Sequence, residues 1–459
     1  MTSIKNFSRI AAAVAVVSVL AVPVFAARGS ADFTRFVAIG DSYGAGVSSG
    51  SMNERHTPFS WPAVVARQAG APQFVQPLVS YPGVGNELQL VDVVSYPPRI
   101  VPATGSGTPL NTNFAAPFNN LSVPGANVRD VTTITGGEQN PQGTAQMFAR
   151  FILRGLGTEV QQAIAQRPTF IAIWIGGNDV LGAVLSGTPA ALTPVDSFRT
   201  SYNAMLDQLT TGAPTAGMIV GNLPTAPAGL PLVNTVAPFI VNPVTRQPIP
   251  GPDGNPIFYV ADLGGGTIGQ LPAGSVVLLT AATKLASGTG IPAAFKNIPP
   301  FNQLPNVGTP LADNDVLTPT EIAAIVARAT EYNTVIQQAA SSRDIPVADI
   351  NGLFNSFGSG VNIGPFRFTS GFITGGLFSL DGFHMTDIGY SLFANQYIRT
   401  INAAYRTEIA VASIANFLEN NGAFFPDENN LVIEMSEDAV ASILRFATPV
   451  KKRLRAAGH

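Results

Sequence analysis

Short apolar runs closed by glycine recur along this chain, and stretches with helical spacing separate them. Thr34-Arg35-Phe36-Val37-Ala38-Ile39-Gly40 reads as a buried strand, as does Phe170-Ile171-Ala172-Ile173-Trp174-Ile175-Gly176. Gly217-Met218-Ile219-Val220-Gly221 is a third such run and Ile345 to Ile350 a weaker fourth, with residues 118–123 a candidate for another. Between them, apolar positions recur at helical spacing over 144–166 and 196–210, and a short helix is expected near 60–69. Thr318-Pro319-Thr320-Glu321 has the cap, the first-turn proline and the third-position glutamate of a helix start, predicting a helix to about Ser342. Another is expected from about Thr386 to Tyr405. Strands that end in glycine and alternate with long helices predict an α/β fold with a parallel sheet covered on both faces. In such sheets the site lies beyond the carboxyl ends of the strands, here marked by Gly40 and Gly176.

Two stretches break this rhythm. Residues 51–116 and 223–312 are rich in proline and glycine, and Pro252-Asp253-Gly254-Asn255 suggests a hairpin in the second. Loops this long are usually functional or disordered. They read as insertions on the face that carries the site, or equally as mobile surface decoration. Residues 408–459 form a C-terminal extension with a capped helix start at Ser436-Glu437-Asp438. Its basic end, Lys451, Lys452, Arg453 and Arg455, suits either a solvated helix terminus or weak contact with a membrane surface.

Composition narrows the function classes. The chain of 459 residues is 46% hydrophobic and 12% charged, with a formal net charge of -3. That charge offers no basic field for phosphates, so nucleic acid is not an expected partner. Lys5 and Arg9 precede an apolar run from Ile10 to Val22, and Val24-Phe25-Ala26 offers small residues where a signal peptidase reads. Residues 1–26 are therefore expected to be a cleaved leader, leaving a secreted or periplasmic protein. There is no cysteine, which excludes thiolate catalysis and cysteine metal sites.

Three histidines limit the acid–base chemistry available: His56, His384 and His459. His459 is the last residue and His56 lies in a polar, loop-like stretch, whereas His384 follows Asp381 by three positions in Asp381-Gly382-Phe383-His384. An Asp and a His so spaced can meet across one turn, the carboxylate orienting the imidazole; the aspartate could equally cap the following helix. Ser42, in Gly40-Asp41-Ser42-Tyr43-Gly44, stands just past the first strand, where a nucleophile's hydroxyl is exposed and its own N–H is free. Alone, Asp-Ser there reads more simply as a turn. Asn178, in Gly176-Gly177-Asn178-Asp179, can aim a side-chain N–H at a developing oxyanion or serve as a helix cap. Gly125, in Asn120-Leu121-Ser122-Val123-Pro124-Gly125-Ala126, could bring a backbone N–H to the same oxygen or simply form a turn.

Together and in this order, the four blocks resemble the SGNH (GDSL) hydrolase family of serine esterases and lipases, over roughly residues 33–407. Tyr43 departs from the family's usual leucine, and Met385 from its frequent proline. The resemblance implies a flavodoxin-like α/β/α sandwich with a five-stranded parallel sheet. It implies Ser42 as nucleophile, His384 as base, Asp381 as its orienting partner, and an oxyanion hole from Ser42, Gly125 and Asn178. It implies acyl transfer from a small-molecule or lipid ester to water, with no metal or organic cofactor. A carbohydrate O-deacetylase or thioesterase on the same triad, and a non-catalytic binding protein keeping the fold, are the alternatives. The apolar residues of 223–312 lean towards an apolar acyl group.

Overall fold

The computed structural model describes residues 31–92, 98–115, 117–242, 245, 247–363 and 366–414. The expected leader over 1–26, the helix start at Ser436 and the basic end at 451–455 lie outside them.

Four parallel strands form the central sheet in the order β1 (Phe36–Gly40), β2 (Phe170–Trp174), β3 (Gly217–Gly221) and β4 (Val347–Ala348). Every residue of β1 and β2 is buried, as uninterrupted apolar strands covered on both faces require. Gly217 pairs with Phe170, and a Cβ there would come within 2.6 Å of the phenylalanine ring, so this glycine makes room for a core aromatic. Of the five strands expected, the segment at 118–123 is realised as a single bridge, Ala38 to Asn120, on the outer edge of β1. Ala38 N–H donates to the Asn119 carbonyl at 2.9 Å, and the Leu121 and Val123 N–H groups donate back to Ala38 and Gly40 at 3.0 and 2.9 Å. Pro124 then ends the run, having no N–H to continue it. With this segment counted, the pieces lie in the chain order 2-1-3-4-5 of flavodoxin-like folds. The order reverses between β1 and β2, which places a crevice at their carboxyl ends.

The long helices are α2 (Trp61–Gln68), α3 (Gly143–Ile152), α4 (Glu159–Ala165), α5 (Gly177–Ser186), α6 (Val195–Gly212), α7 (Pro319–Ser341), α8 (Ile350–Ser359) and α9 (Asp387–Tyr405); a single turn after β1, α1 (Ser42–Ala45), precedes them. Packing sorts them into two sets, α2 and α8 against α9, and α4 and α7 against α6. The Thr318–Glu321 capping box opens α7 as expected. The single helix expected over 144–166 is two helices. Arg154, Gly155 and Gly157 take positive φ, and a second capping box, Thr158 with Gln161, restarts the helix as α4. The strand expected to reach Ile350 stops at Ala348, because Asp349 caps α8 through the Gly352 N–H. Among the described residues no helix is long and apolar enough to cross a membrane.

Both insertions have structure. In the first, Leu88–Asp92 pairs antiparallel with Arg99–Pro102. The second folds around its own apolar cluster, with Tyr259, Ala261, Val277, Phe301 and Leu311 at its centre. The expected hairpin at 252–255 is present: Pro250 bridges Pro256, and Gly251 N–H donates to Asn255 O at 2.7 Å.

Candidate active site

Strand β1 ends at Gly40, Asp41 turns the chain, and Ser42 is the first residue of α1. Asp41 caps that turn by accepting the Tyr43 N–H at 3.0 Å. The Ser42 N–H, at the helix's first position, has no intrahelical acceptor. Gly44 is required by space: a Cβ there would lie 2.1 Å from Ser122 Oγ, so the serine-bearing turn sits directly on the 120–126 block. Asn120 locks that contact, donating to the Gly44 carbonyl at 2.8 Å.

Asn178 is the second residue of α5, which starts straight from β2 with Gly176 at φ 114° as its cap. Its side-chain amide donates to Ala126 O at 2.8 Å. That bond uses one of its two amide hydrogens and fixes the plane of the group beside Gly125. Gly125 has φ 84°, and a Cβ on it would meet Thr144 at 2.9 Å. Asp179, one residue on, faces inwards and accepts the Val128 N–H at 3.0 Å. Asn178 and Asp179 thus occupy the first turn of α5, and each binds the loop after Gly125.

Asp381 and His384 meet as their spacing suggests, with Nδ1 2.7 Å from Oδ2. The other carboxylate oxygen, Oδ1, accepts the backbone N–H groups of Phe383 and His384 at 3.1 and 2.9 Å. Burial alone would raise the Asp381 carboxyl; the adjacent His384 and these hydrogen bonds outweigh it and hold the group below the ordinary carboxylate value. The capping role left open for Asp381 belongs instead to Thr386, which accepts the Gly389 N–H at the start of α9. His384 is buried, and among the described residues its Nε2 has no hydrogen-bond partner. The imidazole is therefore anchored on one side and unengaged on the other, and no bond joins it to Ser42. Catalytic contacts of this kind commonly close only when substrate is bound.

Ser42, Asn178 and Phe383 line one cleft with about 680 Å³ of empty space, part of it open to solvent. Its other walls are apolar: Val180, Leu181 and Val184 from α5, with Leu223 and Leu230 from the start of the second insertion. Three buried carboxyls belong to the same strand ends and helices, and Asp41 among them also lines the cleft. Burial, assisted by nearby Asp179, pushes Asp41 up to about 8; burial pushes Asp179 up to about 6 against the Val128 N–H. Glu159, which accepts the Gly40 N–H at 3.0 Å, is raised well above the ordinary range by burial. Among the described residues no three acidic or imidazole groups are gathered as a metal site needs.

Sequence reasoning passes over His56. Its Nδ1 lies 3.0 Å from Asp387 Oδ1, at the start of α9, and its Nε2 lies 3.3 Å from Glu87 Oε2 in the first insertion. Burial would lower this imidazole, but Asp387 and Glu87 together raise it to about 10. No local signal marks it, because its partners stand 31 and 331 residues away along the chain.

A parallel sheet with a serine turn and an amide-bearing helix at neighbouring strand ends, and a His–Asp loop beside them, defines the architecture of the SGNH hydrolases. The model of the GDSL-like lipase/acylhydrolase family matches residues 36–397, and the chain belongs to that family. It is a carboxylic ester hydrolase of that type. Similar solved structures include phospholipase A1 from Streptomyces albidoflavus NA297, 15% identical, covering 80% of this chain and 98% of that one with a TM-score of 0.32. An extracellular lipase from Streptomyces rimosus is 16% identical over 80% and 98%, TM-score 0.32. An acetyl xylan esterase from Geobacillus stearothermophilus is 15% identical over 81% and 95%, TM-score 0.32. Curated proteins give no match.

Proposed function

We propose that this hydrolase cleaves esters of apolar acyl groups through an acyl-enzyme on Ser42. The observation that carries the substrate class is the wall of the cleft: the side chains around Ser42 and Asn178 are aliphatic or aromatic over most of its extent, including Val180, Leu181, Val184, Leu223, Leu230 and Phe354. An acyl chain laid there would remove apolar surface from water at roughly 25 cal/mol per Å². A sugar acetyl ester would instead face a wall with few groups to hydrogen-bond its hydroxyls.

In the proposed reaction His384 Nε2 accepts the Ser42 Oγ proton as that oxygen bonds to the ester carbon. The carbonyl oxygen becomes an oxyanion facing the Ser42 and Gly125 N–H groups and the second Asn178 amide hydrogen. Asp381 holds the imidazolium that forms. The imidazolium then gives its proton to the departing alcohol oxygen, leaving the acyl group on Ser42. Water adds in the same way, losing its proton to Nε2, and the acid leaves as Ser42 recovers its hydrogen. The apolar leader at 1–26 supports export of the protein, and the basic cluster at 451–455 supports weak contact with a membrane surface.

The test is a panel of nitrophenyl esters from acetyl to palmitoyl run beside acetylated sugars, with Ser42→Ala as control. Turnover should rise beyond acetyl and fall on the order of 10⁴-fold or more in Ser42→Ala. Preference for the sugars would overturn the substrate class. A folded protein whose Ser42 takes no label from a fluorophosphonate would favour a binding role.

A further inference from the structure

We propose that Tyr43 is a positioning residue whose hydroxyl ties the His384 loop to the serine turn. The inference rests on the assignment of Ser42, His384 and Asp381 as the catalytic triad.

Tyr43 follows Ser42, and Phe383 precedes His384. The Tyr43 hydroxyl donates to the Phe383 carbonyl across 340 residues of sequence. The donor therefore stands one residue from the proposed nucleophile and the acceptor one residue from the proposed base. The ring is buried and hemmed on several sides, with centroids 4.8 Å from Trp174, 5.7 Å from His384 and 5.8 Å from Tyr390. Such packing fixes the ring, and with it the place of the phenolic oxygen beside the Phe383 carbonyl. Burial, with the Asp381 and Asp41 carboxyls near, raises the phenol well above its ordinary value, so it remains a donor throughout the working range. The leucine usual at this position in the family pattern has no hydroxyl and could not make the bond.

The segment just after Tyr43 supplies further fastenings to the same loop. Ser48 and Ser51 exchange backbone hydrogen bonds at 3.0 Å around Ser49 and Gly50, whose φ values are 50° and 73°. This tight turn presents the Gly50 N–H to Asp381 Oδ2 at 2.6 Å, the oxygen that also holds His384 Nδ1. It presents the Ser49 N–H to Ser379 Oγ at 2.7 Å, and that hydroxyl lies 3.3 Å from Asp381 Oδ1 and 3.2 Å from the His384 carbonyl. These contacts hold the Asp381 carboxylate. The Tyr43 bond acts on the backbone immediately before His384, and so governs where Nε2 stands relative to Ser42 Oγ. Since Nε2 has no hydrogen-bond partner among the described residues, its position follows from the Asp381 contact at Nδ1 together with such backbone anchors.

Tyr43→Phe removes one oxygen and keeps the ring. It should lower kcat about tenfold, the cost of one lost hydrogen bond, with KM for a short-chain ester within about twofold. The rate of fluorophosphonate labelling of Ser42 should fall in parallel, because labelling needs the same approach of His384 to Ser42 as turnover does. Tyr43→Leu, which removes the ring as well as the hydroxyl, must lose at least as much in folded protein, and full turnover in it would overturn the proposal. A variant that loses only thermal stability, with kcat and labelling rate unchanged, would reduce Tyr43 to a core aromatic and overturn the proposal. Ser42→Ala separates the two claims: retained turnover in that variant defeats the triad itself, whatever Tyr43 does.

Discussion

Asn178 has one structural task and, in the proposed mechanism, a catalytic one. One amide hydrogen is spent on Ala126 O, which holds the 125–126 loop against α5; the residue also lines the cleft with Ser42, where the proposed mechanism gives the other hydrogen to the oxyanion. Asn178→Ala should therefore lower kcat by about 10²- to 10³-fold, as loss of one oxyanion donor does. KM for a short-chain ester should change little, since the donor acts on charge that develops in the transition state. Steady-state kinetics on the folded variant decide this, and an unchanged kcat would remove Asn178 from the hole. Aspartate at this position would be worse than alanine, because its charge would repel both the oxyanion and the Ala126 carbonyl.

The elements around the cleft are short, and each takes its place from contacts with segments distant along the chain. Strand ends at Gly40 and Gly176 are legible because buried strands are uninterrupted apolar runs, and the long helix α7 because its capping box is local. The segment 144–166 reads as one helix from its apolar spacing, although Thr158 and Gln161 carry the signal for a restart in plain view. The 118–123 segment is only half legible, because an edge piece with one bridge shares the apolar pattern of a strand. His56 is invisible for a different reason: ion pairs between a loop, an inserted hairpin and the start of α9 leave no periodicity. Its raised pKa makes it a stability device with a definite sign. Its pairing stabilises the fold fully below about pH 6.5 and is lost as pH rises towards about 10. In urea denaturation at pH 6, 8 and 9.5, wild type should lose stability relative to His56→Gln as pH rises. Parallel curves for the two proteins would show that the pairing contributes nothing.

At the scale of the whole molecule, the chain has a catalytic core and an inserted body with a core of its own. The clusters around Phe170 and around Leu311 are separate. Leu311 is fully buried in the second. Leu311→Ala should cost roughly 2–5 kcal/mol, read as a lower urea midpoint, while acetyl ester turnover persists below that transition. Simultaneous loss of turnover would mean that the insertion supports the chemistry as well as the cleft wall. That wall is the least legible part of the site. Leu223 and Leu230 sit at the start of a proline-rich stretch whose course no period announces.

The fastenings between residues 43–50 and the loop before α9 and its first turn also bear on how the molecule comes to be active. Tyr43 with Phe383, Gly50 with Asp381 and Val47 with Tyr390 join points 331 to 343 residues apart. Closing loops of that length is a slow step, and it brings no reward until both ends are in place. The half of the site that is synthesised first must therefore wait for the half that is synthesised last. During refolding from urea, helical signal should return before ester hydrolysis does, and a nascent chain should be inactive until α9 has emerged. Hydrolytic activity is in this sense a clock for the final long-range closure of the chain.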